Sequence, residues 1–377
     1  MSESHDFTAS HSHGRAYGET PPLEASSGVH RVARDASGFP SFLDTPRFIP
    51  FSSGDARASG VYGAEARVVE ASRRPSDLPG GQLVNPILLL QSGIVWHYSD
   101  GTGVASIVGN RELWATSVSS LNDAGELTYG LRRICGALRE AKKVAGGVWL
   151  DHLEKLLREM DDSARHLDRT YVACASMSSN SLSQWRAYSG NGVGYAIGLD
   201  CNEKLAVVAG SDVDIDASIS KTMTLGWLPV LYDPAQQRSL AQDTVAYALY
   251  NLEWGCPVDS VMTEIVFSAI CMKHPSFKDE EEVRYVTQVY EENAVQFRGG
   301  KYGITPYVRL TAPQDGGINE QGTILCVHGS CDSLPIVELN VGPGKMADSA
   351  RRGAEKLLRH CGFSEVSVSS DESPIRW

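Results

Sequence analysis

Several features are missing from this 377-residue chain, and each absence removes a class of function. No apolar run approaches the roughly 18–20 residues of a membrane-spanning helix. The nearest, Ile87-Leu88-Leu89-Leu90, stops at Gln91. A basic start leading into an apolar core is also missing, so no secretory leader is expected and the cytoplasm is the expected compartment. Basic residues are outnumbered, 34 Lys and Arg against 46 Asp and Glu, and the resulting charge of -12 disfavours a nucleic-acid partner. Eight cysteines occur without one Cys-x-x-Cys pair. That spacing speaks against a zinc site and for buried free thiols in a reducing environment. The Gly-x-Ser-x-Gly elbow of the α/β-hydrolases does not occur. Gly190-Asn191-Gly192-Val193-Gly194 precedes a strand pattern instead of following one, so it reads as a turn and not a dinucleotide fingerprint. Val341-Gly342-Pro343-Gly344-Lys345 lacks the spacing and ending of a phosphate loop. No internal repeat is present.

What is there divides into two parts. Residues 1–84 are rich in Ser, Gly, Pro, His and Ala and show no sustained periodicity. They read as a low-complexity, largely disordered segment carrying a docking patch, Phe39, Phe42, Phe48 and Phe51. Residues 85–377 read as a single α+β domain with a central mixed or split sheet and surrounding helices. Strands are expected at 94–98, 113–117, 171–175, 193–199, 227–232, 282–290, 306–311, 323–328, 334–341 and 365–369. Helices are expected at 103–110, 123–143, 148–168, 182–188, 235–253, 259–272 and 345–360. The run 171–175 is almost wholly apolar and should be central. Residues 282–290 alternate like a half-buried strand, with Val283, Tyr285, Thr287 and Val289 on one face.

Three groups of residues carry candidate chemistry. Ile94-Val95-Trp96-His97-Tyr98-Ser99 delivers a His, an aromatic and a hydroxyl to the end of an apolar strand. Glu280, Glu282 and Arg284 lie two apart, which on a strand places them on one face. Two carboxylates beside a guanidinium can bind a ribose diol or hold charge near a developing cation. Trp185 and Tyr188 lie three apart on one helix and could present a platform for a flat ring. Each group also has a structural reading: a hydrogen-bonded His, a solvated strand face, and core aromatics.

In their order along the chain these pieces resemble a bacterial family, domain-of-unknown-function family 2971. The motifs are His97-Tyr98, Asn122-Asp123-Ala124-Gly125-Glu126, Cys174-Ala175-Ser176 and Trp185-Arg186-Ala187-Tyr188. Later come Lys273-His274-Pro275-Ser276-Phe277, Glu280-Glu281-Glu282-Val283-Arg284 and Gly342-Pro343. The resemblance spans about 95–376. Ala124 stands where the family has Pro and Val283 where it has Trp; neither change removes a polar candidate. The family implies no activity.

A more distant likeness does imply one. A His-x-Ser strand, a strand leading to an aromatic-bearing helix, and a late strand Glu are similar to ADP-ribosyltransferases. That resemblance implies NAD as substrate. His97 and Ser99 would hold the adenosine ribose and nicotinamide amide, Tyr188 would stack on nicotinamide, and Glu282, with Glu280 before it, would support an oxocarbenium-like transition state. The implied catalytic set is Glu282, His97 and Glu280. The implied cofactor-binding set is His97, Tyr98, Ser99, Ser176, Trp185, Tyr188 and Arg284, with no metal. The first expectation is therefore an NAD-dependent ADP-ribosyltransferase-like enzyme of the toxin or phage-defence kind, with a protein acceptor or partner. A non-enzymatic module that binds a nucleotide or protein is the second. A ribonuclease using His97, Glu282 and Arg284 is the third. Both catalytic readings require His97, Tyr188 and Glu282 to line one pocket.

Overall fold

In a computed structural model of the protein, residues 86–370 are described except 91, 122–123, 145–146, 163–164, 190–191, 210–221, 301–302, 313–326 and 329–333. The expected segment 1–84 and its aromatic patch lie outside the described residues, as do Asn122 and Asp123. The chain begins with β1 (Ile94–Ser99), α1 (Gly101–Asn110) and β2 (Leu113–Ser117), followed by helices α2 (Ala124–Val144), α3 (Val148–Asp162) and α4 (Arg165–Asp168). Next come β3 (Thr170–Ser176), α5 (Leu182–Tyr188), β4 (Tyr195–Asp200), β5 (Ala206–Ala209) and β6 (Thr222–Pro229). Helices α6 (Pro234–Glu253) and α7 (Val258–Ile270) lead through a 3₁₀ turn, Pro275–Glu280, into β7 (Glu282–Val289). Strands β8 (Gln296–Gly300), β9 (Gly303–Thr311), β10 (Val327–His328) and β11 (Ile336–Val341) follow, then α8 (Ala347–His360) and β12 (Ser367–Ser370).

The strands form one mixed sheet that forks at β3. One edge of β3 is paired along its whole length with β7, and β7 in turn with β6. The other edge is shared. Tyr171 and Val172 pair with β2, Ser176 pairs with Trp96 of β1, and residues 173–175 pair with neither. From this stem one branch runs β2-β9, with β8 and β5 beside β9. The other runs β1-β4-β11-β12. Most pairings are antiparallel; β5 with β10 and β11 with β12 are parallel. Of the mixed or split sheet that the sequence pattern predicts, the structure shows a large mixed, open sheet with helices.

Alternation along the stem strands sorts the core into two layers. Ala173, Ala175, Val283, Tyr285 and Trp227 join one cluster, which extends to α1 and α8. Val172, Leu228 and Val286 join a second cluster under α2, α3, α6 and α7. Every residue of β7 is consequently buried, and the expected half-buried strand is corrected to a central one covered on both faces. Its polar residues 282, 284 and 288 face helices instead of solvent, which is why the alternating pattern misled. Among the described residues no helix is long and apolar enough to cross a membrane.

Candidate functional site

The fork creates the site. Where β1 and β2 part from β3, a cavity of about 920 Å³ opens against the uncovered middle of β3. Its size lies near the upper end of ligand pockets, which run from about 300 to 1,000 Å³. Residues 96–99 of β1 line it, together with Trp114, Thr116, Glu126, residues 172–175, Gln184, Tyr188, Lys273, Glu280, Glu282, Arg284 and Arg298. His97, Tyr188 and Glu282, far apart in the chain, thus share one concave surface.

His97 sits within β1 and not at its end, as the strand continues to Ser99. Its Nδ1 lies 2.8 Å from the carbonyl oxygen of Cys174, in the stretch of β3 that has no strand partner on that edge. A carbonyl can only accept, so Nδ1 carries the hydrogen. Burial lowers the His97 pKa, partly offset by this bond, and the ring is neutral near pH 7. Nε2 is then a lone-pair acceptor with no partner among the described residues, able to take a hydrogen bond from a ligand hydroxyl or amide.

Glu280 is corrected from a strand position. It closes the 3₁₀ turn, and Glu281 adopts a left-handed conformation, φ 44°, before β7 starts at Glu282. That φ is uncommon for a residue with a Cβ. Glu280, Glu282 and Arg284 still converge, but through a folded turn instead of strand alternation. Arg284 Nε donates to Glu282 Oε1 (2.8 Å), its Nη2 to Glu282 Oε2 (3.0 Å) and Glu126 Oε2 (2.5 Å), and its Nη1 to the Ile270 carbonyl (2.9 Å). Lys273 Nζ contacts Glu126 (2.8 Å), Glu280 (2.6 Å) and Glu282 (3.0 Å). Burial alone would raise the Glu282 carboxyl, but Arg284 and then Lys273 outweigh it and hold it at about 2. Burial would lower Lys273, yet Glu282, Glu126 and Glu280 raise it, so both cations stay charged. The Cys174 thiol is pushed well up by burial and by the neighbouring Glu282, to which it hydrogen-bonds. Cys174 therefore connects His97 through its carbonyl and Glu282 through its thiol.

The other expected site residues separate into two groups. Tyr188 is 48% exposed and presents its ring at the cavity, whereas Trp185, three residues earlier, is 1% exposed. Trp185 packs edge-on against Tyr98 at 4.6 Å and donates Nε1 to Asn180. Two glycines make room for it. A Cβ on Gly342 would come within 2.9 Å of the Trp185 ring, and one on Gly194 within 3.1 Å. Tyr98 places its hydroxyl on the Ser178 carbonyl and receives the Ser181 N–H. Ser176 is wholly buried, donates to the Glu280 carbonyl and accepts from the Ser178 N–H. Trp185 and Ser176 do not line the cavity, and together with the Tyr98 side chain they position the walls. Ser99 does line it, packed closely against Gly103.

Glu126, Lys273, Trp114 and Arg298 were not singled out from the sequence. Glu126 and Lys273 each end or begin one of the family motifs, so the ordered motif set carried a signal for them. Arg298 and Trp114 belong to no motif.

Comparison with known proteins adds one match. Residues 184–285 match the model of a family described as protein of unknown function (DUF2971). No curated protein and no solved structure matches the chain. The matched stretch contains Tyr188, Lys273, Glu280, Glu282 and Arg284, so the similarity to this family of unknown function falls on the stem wall of the cavity.

Proposed function

We propose that the cavity binds NAD and that the protein is an ADP-ribosyltransferase-like enzyme that breaks the nicotinamide–ribose bond. The supporting observation is the convergence of His97, Tyr188, Glu280 and Glu282 on one cavity at a sheet fork. The neutral His97 Nε2 accepts from a ribose hydroxyl or the nicotinamide amide, and the Tyr188 ring stacks on nicotinamide. Glu282 is already engaged by Arg284 and Lys273, so Glu280 is the carboxylate better placed to meet the ligand. Its Oε2 is on Lys273, and among the described residues its other oxygen has no partner and can take a ribose hydroxyl. As the C–N bond breaks, its electron pair leaves with neutral nicotinamide and positive charge develops on the ribose. Fixed carboxylate charge nearby stabilises that state more than the ground state. An acceptor, protein or water, then bonds to the ribose carbon and loses its proton. A toxin or defence role would follow from a protein acceptor.

Purified protein should bind NAD and release nicotinamide. Glu280→Gln should lower turnover about 100-fold while NAD affinity stays within several-fold. His97→Ala should weaken binding first. Absence of both NAD binding and nicotinamide release, with candidate acceptors supplied, would overturn the proposal.

A second reading, a nucleotide-binding module without catalysis, is favoured by the saturation of Glu282. NAD bound but never cleaved would select it. The ribonuclease reading fares less well: four hydrogen bonds already occupy Arg284, leaving at most one of its five N–H groups for a phosphorane.

A further inference from the structure

Among the described residues three full cations line the cavity, and they are not equivalent. Lys273 and Arg284 are both tied to carboxylates, and their wall holds three carboxylates against two cations. Arg298 lies on β8, in the other branch of the fork. It is solvent-accessible and meets no carboxylate among the described residues. Its guanidinium carbon lies 5.6 Å from the Trp114 ring centre and 5.7 Å from that of Tyr307. Those two rings pack at 4.5 Å with 32° between their planes. One Nη2 hydrogen bond to Thr116 Oγ1, 2.9 Å, fixes the rotation of the group. Cross-strand pairing explains the assembly: Thr116 faces Tyr307 across β2 and β9, and Arg298 faces Thr305 across β8 and β9.

A guanidinium held beside aromatic rings and anchored by one hydrogen bond keeps its charge and presents an oriented fork of donors. Such a fork matches the oxygens of a phosphoryl group. The stem wall, with its excess of carboxylate, repels the same group. We propose that Arg298, seated on Trp114 and Tyr307, is the phosphate-binding subsite of the cavity and takes a phosphoryl group of a nucleotide. This rests on the reading that the cavity holds NAD. It adds an orientation: the phosphates lie toward the β2 branch, which directs the nicotinamide ribose to His97, Tyr188 and Glu280.

The test is calorimetric titration of the full-length wild type, Arg298→Gln and Arg298→Lys with NAD, ADP-ribose and inorganic pyrophosphate, with melting temperatures compared first. Arg298→Gln should lose tenfold or more in affinity for ADP-ribose, Arg298→Lys should recover part of it, and added salt should weaken the wild type more than Arg298→Gln. Equal affinity of wild type and Arg298→Gln for ADP-ribose would overturn the subsite and leave the NAD reading intact. Wild type that ignores NAD and ADP-ribose but binds pyrophosphate through Arg298 would keep the subsite and overturn the NAD reading. Wild type that binds none of the three would overturn both.

Discussion

At the stem of the fork, Lys273 and Arg284 direct their charge to Glu126, Glu280 and Glu282. On the β2 branch, Arg298 lies near two aromatic rings and meets no carboxylate among the described residues. Both regions line the same cavity, and both bring cations to it. The difference is what each charge already does. Buried at the stem, an unpaired charge would be costly, so each cation is surrounded by partners. At the accessible branch, solvent supports an unpaired guanidinium, and its donors remain open to a ligand. Counting charged residues in a cavity therefore does not measure its binding capacity; the number left without internal partners does.

Removing a stem cation has the largest expected effect. Arg284→Ala leaves Glu282 and Glu126 without their main counter-charge and should destabilise the fold by about 3–5 kcal/mol in chemical denaturation. Arg298→Gln in the same assay should change stability by less than about 0.5 kcal/mol. Similar losses for the two variants would mean that stem and branch cations are held alike.

Acid titration sharpens the same contrast. Glu282 is held at about 2 in the folded protein, against an ordinary 4.5. Its contribution is fully present above pH 4.5 and is lost as pH falls through about 2. That amounts to an order-of-magnitude 3 kcal/mol for this buried group. Glu282→Gln should flatten the stability–pH curve across that window, and an unchanged curve would mean the ion network does not hold Glu282 down.

His97 has the same sign. Its folded pKa lies below 6.5, so the stability of the neutral ring is present above that value and is lost as pH falls through the depressed one. His97→Gln should remove this part of the pH dependence. Ligand binding that needs Nε2 as an acceptor should weaken over the same range.

Burial separates two aromatics on one short helix. Tyr188→Ala should cost less than about 1 kcal/mol, against about 3–5 kcal/mol for Trp185→Ala. Thermal melts of the two variants check this directly.

Much of the fold was legible because its core strands and helices obey simple periods. The apolar run of β3, the amphipathic α2 and the three-apart aromatics of α5 all fall where their patterns place them. β5 and β8 were not legible: one is four residues long and the other ends in two glycines, too short and too broken to show alternation. Glu280 was placed on a strand because spacing alone cannot report the left-handed turn at Glu281. The residues of the stem wall were mostly readable as ordered motifs, but their pairing was not, since Glu126 reaches Arg284 across 158 positions. Arg298 escaped notice because its setting depends on Trp114 and Thr116 of β2, the latter 182 positions away in the chain.

Calorimetric titration of NAD into the wild type and Tyr188→Ala, at pH 7.5 and with matched melting temperatures, tests the central claim most directly. Saturable binding by the wild type, weakened tenfold or more in Tyr188→Ala, is the expected result. No binding by the wild type, or equal binding by a variant that lacks the exposed ring, would contradict the assignment of this cavity to NAD.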